Sequence, residues 1–235
     1  NSLGANTTGE DNVAMGDNAM ADNTTGDKNT AFGTSSLANN TTADNNTAIG
    51  YAALNVNTTG AQNTAVGRLA LDANTTAADN TAIGNAAMTA STTGASNTSV
   101  GAGSMRDNTT GGDNTAVGFN ALDANTTASD NTAVGSSALG SNTTGSGNIS
   151  MGNSSGGAIT TGDSNTCLGR SAGVSIQTGT HNTLIGHSVD CAHDSDNAIV
   201  LGVDVTGQGD NFKFGKTSNV VSNVFTTNAS WARSS

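Results

Sequence analysis

Residues Asn63 to Asp79 read NTAVGRLALDANTTAAD, and variants of this 17-residue stretch follow one another along the chain. Its glycine, Gly67, has counterparts every 17 residues from Gly16 to Gly186, and Gly202 follows after 16 residues. A fixed period of this kind is the signature of a repeat architecture, in which each unit forms one structural element that stacks on its neighbours.

The repeat defines two apolar columns and two asparagine columns, and Ser91 is an exception in the second asparagine column. The strand column is the apolar residue directly before the glycine, and the corner column is the apolar residue four positions after it. Asparagine stands four positions before the glycine and again seven positions after it. Two units illustrate the pattern with Val66, Gly67, Leu71, Asn74, Val117, Gly118, Leu122 and Asn125.

The unit is too short for a helical-hairpin repeat, and Thr, Asn and Gly are weak helix formers. We therefore predict an all-β parallel β-solenoid of about 12 coils. Identical residues would stack about 4.7–4.9 Å apart, and Asn and Thr would form side-chain ladders along a rod of roughly 55–60 Å.

The composition excludes several classes of function. Only 34% of the residues are hydrophobic and 11% are charged, which is unlike an ordinary enzyme domain. The net charge of −11 disfavours nucleic acid and anionic lipid, and no apolar run is long enough for membrane insertion. No catalytic or phosphate-binding motif is present, so we predict a chain that is not an enzyme and uses no cofactor.

The run Thr-Ala-apolar-Gly reads as a short strand with Thr and the strand column on one face and Ala and Gly on the other. We expect the strand column, including Val117 and Val134, to fill the coil interior. The corner column would then form an exposed apolar stripe, which predicts self-association as a homo-oligomer.

The pattern changes near the C-terminal end. The corner column stops after Leu139, and isoleucines appear instead at Ile159 and Ile176, so we expect the last coils to pack differently. The period is lost from Val203. We divide the chain into a solenoid over residues 1–202 and a connector of short strands over residues 203–235.

The unit N-T-A-Φ-G-x-x-A-L, where Φ is apolar, resembles the head repeat of trimeric autotransporter adhesins. That resemblance implies a trimer of left-handed parallel β-rolls. The ending NASWARSS, residues 228–235, resembles the sequence before the intramolecular chaperone of endosialidase-type tail spikes and fibres, which implies that Ser235 is a processed C-terminus.

Together these resemblances imply a structural or adhesive segment of an extracellular or virion fibre that attaches to a host through an unidentified receptor or glycan. A bacterial adhesin head and a self-assembling extracellular filament remain alternatives. An ice-binding solenoid is a weaker alternative, because Thr58 and Thr59 are adjacent and should point to opposite sides.

The Asn-x-Thr sequons could accept glycans or could serve only as turn and ladder residues. The candidate acceptors are Asn23, Asn40, Asn57, Asn74, Asn108, Asn125 and Asn142.

Two sets of possible metal ligands are also present. The acidic set is Asp11, Asp79, Asp113 and Asp130, and the thiol and imidazole set is Cys167, His181, His187, Cys191 and His193. We interpret the first as a solvated acidic edge and predict no metal at either, because neither set has the spacing of a known metal-binding loop.

Overall fold

The computed structural model describes residues 1–224, and within that range the chain forms one 14-stranded sheet whose strands follow the order of the sequence. The strands are β1 (Val13–Met15), β2 (Thr30–Phe32), β3 (Thr47–Ile49), β4 (Thr64–Val66), β5 (Thr81–Ile83), β6 (Thr98–Val100), β7 (Thr115–Val117), β8 (Thr132–Val134), β9 (Ile149–Met151), β10 (Thr166–Leu168), β11 (Thr183–His187), β12 (Ile199–Val203), β13 (Asn211–Lys216) and β14 (Asn219–Val224). Coil 1 contains β1, and later coils are numbered in the same way.

Consecutive coils stack in parallel with equivalent residues paired. Thr64 pairs with Thr81, and Val66 pairs with Ile83. Backbone hydrogen bonds between coils continue around the turns, as where the Leu54 amide donates to the Ala70 carbonyl at 2.9 Å. The predicted parallel β-solenoid of about 12 coils with 17-residue spacing is confirmed. Strands of only three residues suffice because most of each coil's circumference also pairs with its neighbours.

The prediction of which apolar column fills the interior is wrong. The corner column is fully buried, whereas Val117 is 37% exposed and Val134 is only partly buried. The reason lies in the middle of each strand, where alanines such as Ala116 and Ala133 are fully buried. Side chains alternate along a strand, so an inward alanine forces Thr and the strand column outward together.

The corner column reaches the interior through an unusual backbone conformation. Leu71 has a φ of 53°, in the left-handed region, and Leu69 has a φ of 57°. Left-handed geometry costs about 1–2 kcal/mol for a residue with a side chain, so burial of the leucine must offset this cost. Gly67 is required for a different reason, because a Cβ at that position would lie 2.3 Å from the carbonyl oxygen of Gly84 in the next coil.

Two ladders of buried asparagines complete the interior. In the entry ladder, from Asn29 to Asn182, each amide oxygen accepts from the backbone N–H at the equivalent position of the next coil, as Asn63 does from Asn80 at 3.0 Å. In the NTT ladder, side-chain amides bond to one another, as Asn74 Nδ2 does to Asn57 Oδ1 at 2.7 Å. The NTT ladder is interrupted at Ser91, so Asn74 Oδ1 has no partner.

In coils 9 and 10 the large apolar residue moves from the corner column to the NTT ladder position, and the interior stays filled. Gly156 and Gly173 take the left-handed corner position, and the fully buried Ile159 and Ile176 come from the NTT ladder position. A Cβ on residue 156 would lie 2.5 Å from Ser150 Oγ, 3.0 Å from Leu139 Cδ2 and 3.2 Å from Ile159 Cδ1, so side chains that include Ile159 fill the space beside the glycine. The last coils therefore pack differently, as the sequence indicates.

The sheet continues past residue 202. β12 pairs in parallel with β13, and Gly202 lies opposite Gly215. β14 then returns antiparallel to β13. The segment from residue 203 to 224 thus extends the same sheet rather than starting a new one.

We expect Leu122→Asp to destabilise the chain by several kcal/mol, because it places an unpaired charge in the dry interior. Thr127→Asp, in the same coil but on an exposed side chain, should change stability by less than about 0.5 kcal/mol. Chemical denaturation followed by circular dichroism measures both. Equal destabilisation by the two variants would contradict the assignment of the corner column to the interior.

We expect Ser91→Asn to stabilise the chain by about 0.5–1.5 kcal/mol, because its amide would donate to the unpartnered Asn74 Oδ1 and rejoin the two halves of the NTT ladder. Ser91→Ala serves as the control, since the Ser91 hydroxyl also has no partner. Denaturation midpoints report the difference, and a Ser91→Asn variant less stable than the unchanged chain would show that the ladder does not contribute as described.

Candidate interaction surface

The outer face of the sheet carries a continuous apolar stripe made by the strand column. Its members more than a third exposed are Met15, Phe32, Ile49, Ile83, Val117, Met151 and Ile185. On β13, Phe214 lies opposite Leu201 and extends the stripe, with 41% of its surface exposed. The stripe therefore runs from the first strand to the thirteenth.

The second outward column stands two residues before the strand column and is mostly threonine. Val13 and Ile149 replace threonine in β1 and β9 and are themselves 58% and 42% exposed. No charged residue occurs in either outward column of β1 to β12. An uncharged, partly apolar face on a chain with a net charge of −11 has the composition of an interface centre rather than of a solvated surface.

Aromatic side chains flank the stripe at the position directly after the glycine. Tyr51 is 55% exposed and Phe119 is 59% exposed. The Arg68 guanidinium carbon lies 6.0 Å from the centre of the Tyr51 ring, within range of a cation–π contact. These side chains broaden the apolar surface beside the strands of coils 3 and 7.

The candidate glycan acceptors are not accessible in the folded chain. All seven are fully buried: Asn23, Asn40, Asn57, Asn74, Asn108, Asn125 and Asn142. The nitrogen that would carry a glycan instead donates within the coil or to the coil before it, as Asn125 Nδ2 does to Asn108 Oδ1 at 2.7 Å. In the folded chain these asparagines are turn and ladder residues, which is the second of the two interpretations that the sequence allows.

The candidate metal ligands do not converge. In the part of the chain that the structure describes, no group of three or more His, Cys, Asp or Glu side chains is placed to hold a metal ion. Asp11, Asp79, Asp113 and Asp130 are exposed along one edge of the rod. His187 lies at the surface between Arg170 and Asp204, with its Nδ1 3.5 Å from Asp204 Oδ1.

Cys167 and Cys191 are free thiols that belong to the same buried cluster. Desolvation by burial raises the pKa of each thiol to about 12. Burial therefore keeps both thiols protonated at neutral pH, where they pack as small apolar side chains.

Comparison of the chain with protein-family models, with curated proteins and with solved structures gives no match. No helix of residues 1–224 is long and apolar enough to cross a membrane. The predicted processing site at Ser235 lies outside the described residues.

Of the sequence-predicted residues, the structure brings Leu71, Asn74, Leu122 and Asn125 into the interior and leaves Val66 and Val117 on the outer face. Sequence reasoning named the apolar stripe but assigned it to the wrong column. The signal that identifies the correct column is the small residue at the centre of each strand. An alanine repeated at this position in most coils indicates that this face of the strand points into the narrow interior.

We expect neither cysteine to react with a thiol reagent at pH 8 while the chain is folded, because only about one thiol in ten thousand is ionised when the pKa is near 12. In denaturant both should react within minutes. Absorbance with Ellman's reagent measures this. Fast labelling of the folded chain would contradict the burial of the two thiols.

Proposed function

We propose that this chain is a non-enzymatic segment of an extracellular or virion fibre, assembled as a homotrimer, that mediates attachment to a host or surface. The observation that carries the proposal is the uncharged apolar stripe along the outer face of β1 to β13. Soluble monomers rarely expose contiguous apolar patches above a few hundred Å². A second and third copy of the chain would cover this stripe.

The repeat geometry suits parallel association of identical rods. Every coil rises by the same distance, so copies aligned along a common axis place each stripe residue against its own counterpart in every coil. A contact made once is thereby repeated along the rod. Three copies, rather than two, are what the resemblance to trimeric adhesin heads implies, and the side of each rod away from the axis stays available for attachment.

The alternatives of a bacterial adhesin head and a self-assembling filament subunit use the same rod and the same stripe. They differ from a virion fibre in the structure to which the rod is joined. Binding of the labelled rod to bacterial and eukaryotic cells tests the attachment role common to the fibre and the adhesin. A rod that assembles but binds no cell surface would favour the filament.

Ice binding is a second candidate that one observation favours. Thr64 and Val66 stand two residues apart and point outward on the same face, and neighbouring coils repeat this pair in register. Flat, regularly spaced rows of threonine and apolar side chains are suited to ordering water. This use requires the face to remain uncovered, so it excludes assembly through the stripe.

The proposed homotrimer predicts that the full chain has three times the 22.9 kDa mass of one copy in solution. Val66→Asp with Val117→Asp should give a folded monomer, because a charge on the outer face is harmless to one rod but unpaired within an interface. Thr76→Asp with Thr127→Asp, on exposed side chains of the same coils, should remain trimeric. Mass photometry and far-ultraviolet circular dichroism measure both properties.

A well-folded monomer of the unchanged chain at micromolar concentration would contradict the fibre proposal. If such a monomer also showed thermal hysteresis that Val66→Asp with Val117→Asp abolished, the outer face would be an ice-binding surface.

A further inference from the structure

A groove of about 460 Å³ opens on the side of the rod between coils 7 and 10. Residues two to six positions after the repeat glycine form it, and these residues are outside the strands that carry the apolar stripe. Asp123 lies at one end and Val174 at the other, and Gly140 and Gly157 line the groove between them. The groove spans three coil steps, about 14 Å.

The groove exists because two consecutive coils lack a side chain five positions after the repeat glycine. Other coils carry one there, including Ala38, Asp72 and Thr89. Neither Gly140 nor Gly157 has a left-handed φ. A Cβ would lie 3.3 Å from the nearest atom at residue 140 and 3.2 Å at residue 157, in each case a carbonyl oxygen of the same coil. Since alanine, aspartate and threonine occupy this position elsewhere, the fold does not require glycine at either site.

The groove is lined with polar groups that the fold does not use. Among residues 1–224, the side chains of Asn120, Ser137 and Ser141 make no intramolecular hydrogen bond. Asp123 is held in place by Arg106, whose Nη2 donates to Asp123 Oδ2 at 3.0 Å. The lining therefore offers an amide and two hydroxyls to a ligand, while the Asp123 carboxylate at one end is paired with Arg106 and has its Oδ1 buried.

Asp72 provides an internal comparison for Asp123. Both occupy the same position in their coils, and in both the pKa is raised because burial desolvates the carboxyl group. In the coil after Asp72 the column continues with Thr89, whose hydroxyl donates to the Leu69 carbonyl at 3.4 Å. In the coils after Asp123 the column continues with Gly140 and Gly157, and the groove opens there.

We propose that this groove binds a short neutral oligosaccharide. Its volume lies within the range of about 300–1,000 Å³ typical of ligand sites, and its donors and acceptors suit vicinal hydroxyl groups. Asp123 and the net charge of −11 disfavour anionic ligands. The inference rests on the proposed attachment function, of which it names the ligand class.

The test uses saturation-transfer difference NMR on the full chain with cellotriose, maltotriose, mannotriose and chitotriose, and with sialyllactose as an anionic probe. Gly140→Thr with Gly157→Thr fills the groove with threonine, the residue that occupies this position in coil 5 as Thr89. Ala21→Thr with Asn55→Thr makes the same change in coils 1 and 3. Binding of at least one neutral trisaccharide should persist in the control and weaken tenfold or more in the filled variant.

Absence of binding by all four neutral sugars, equal binding by the filled variant, or binding of sialyllactose alone would overturn the proposal. Cell attachment that persists in the filled variant would contradict a role for the groove in attachment while leaving the fibre function intact. A monomeric chain that still binds a neutral sugar through the groove would contradict the trimeric fibre and support the groove as a sugar site.

Discussion

Hydrogen bonding through the buried asparagine amides is the interaction on which the rest of this structure depends. Most coils enclose small side chains, one large apolar residue and two asparagine amides, one of which is replaced by Ser91, Ile159 and Ile176 in coils 5, 9 and 10. A coil therefore has little hydrophobic burial of its own. A buried amide without partners costs about 1–3 kcal/mol. Most of the amide oxygens are satisfied only when the next coil places an asparagine side chain or a backbone N–H at the equivalent position, as where Asn63 Oδ1 accepts from the Asn80 N–H. This requirement fixes both the 17-residue period and the register, because a slip of one residue would leave a whole ladder unpaired.

The narrow interior also explains the surface. An interior with room for alanine at the strand and leucine at the corner cannot also take the strand column, so that column lies outside in every coil. Residues 1–224 therefore have an uncharged apolar face along the strands, an acidic edge, and a polar side that carries the groove between coils 7 and 10. These surfaces are chemically distinct, and the proposed assembly through the apolar face would leave the polar groove exposed.

Much of the fold could be predicted because the sequence repeats the same residue types at a fixed spacing of 17 residues. The glycine spacing, the asparagine columns and the short strands all follow from periodicity and residue type. The direction of the strand column could not be derived from hydrophobicity, since Val117 and Leu122 are equally suited to burial. Only the limited space beside Ala116 decides between them. The groove could not be predicted either. In the sequence Gly140 and Gly157 look like the many other glycines of the chain, and only their ordinary backbone φ in the structure shows that the fold does not require glycine there.

The most direct test of the stacked-ladder account is a distance measurement along one column of the rod. Spin labels at Thr25 and Thr127 are six coils apart, and labels at Thr25 and Thr161 are eight coils apart. With labelled chains diluted in unlabelled ones, double electron–electron resonance should give distances near 29 and 38 Å, corresponding to about 4.8 Å per coil. Equal distances for the two pairs, or a separation that does not grow in proportion to the number of coils, would contradict the account.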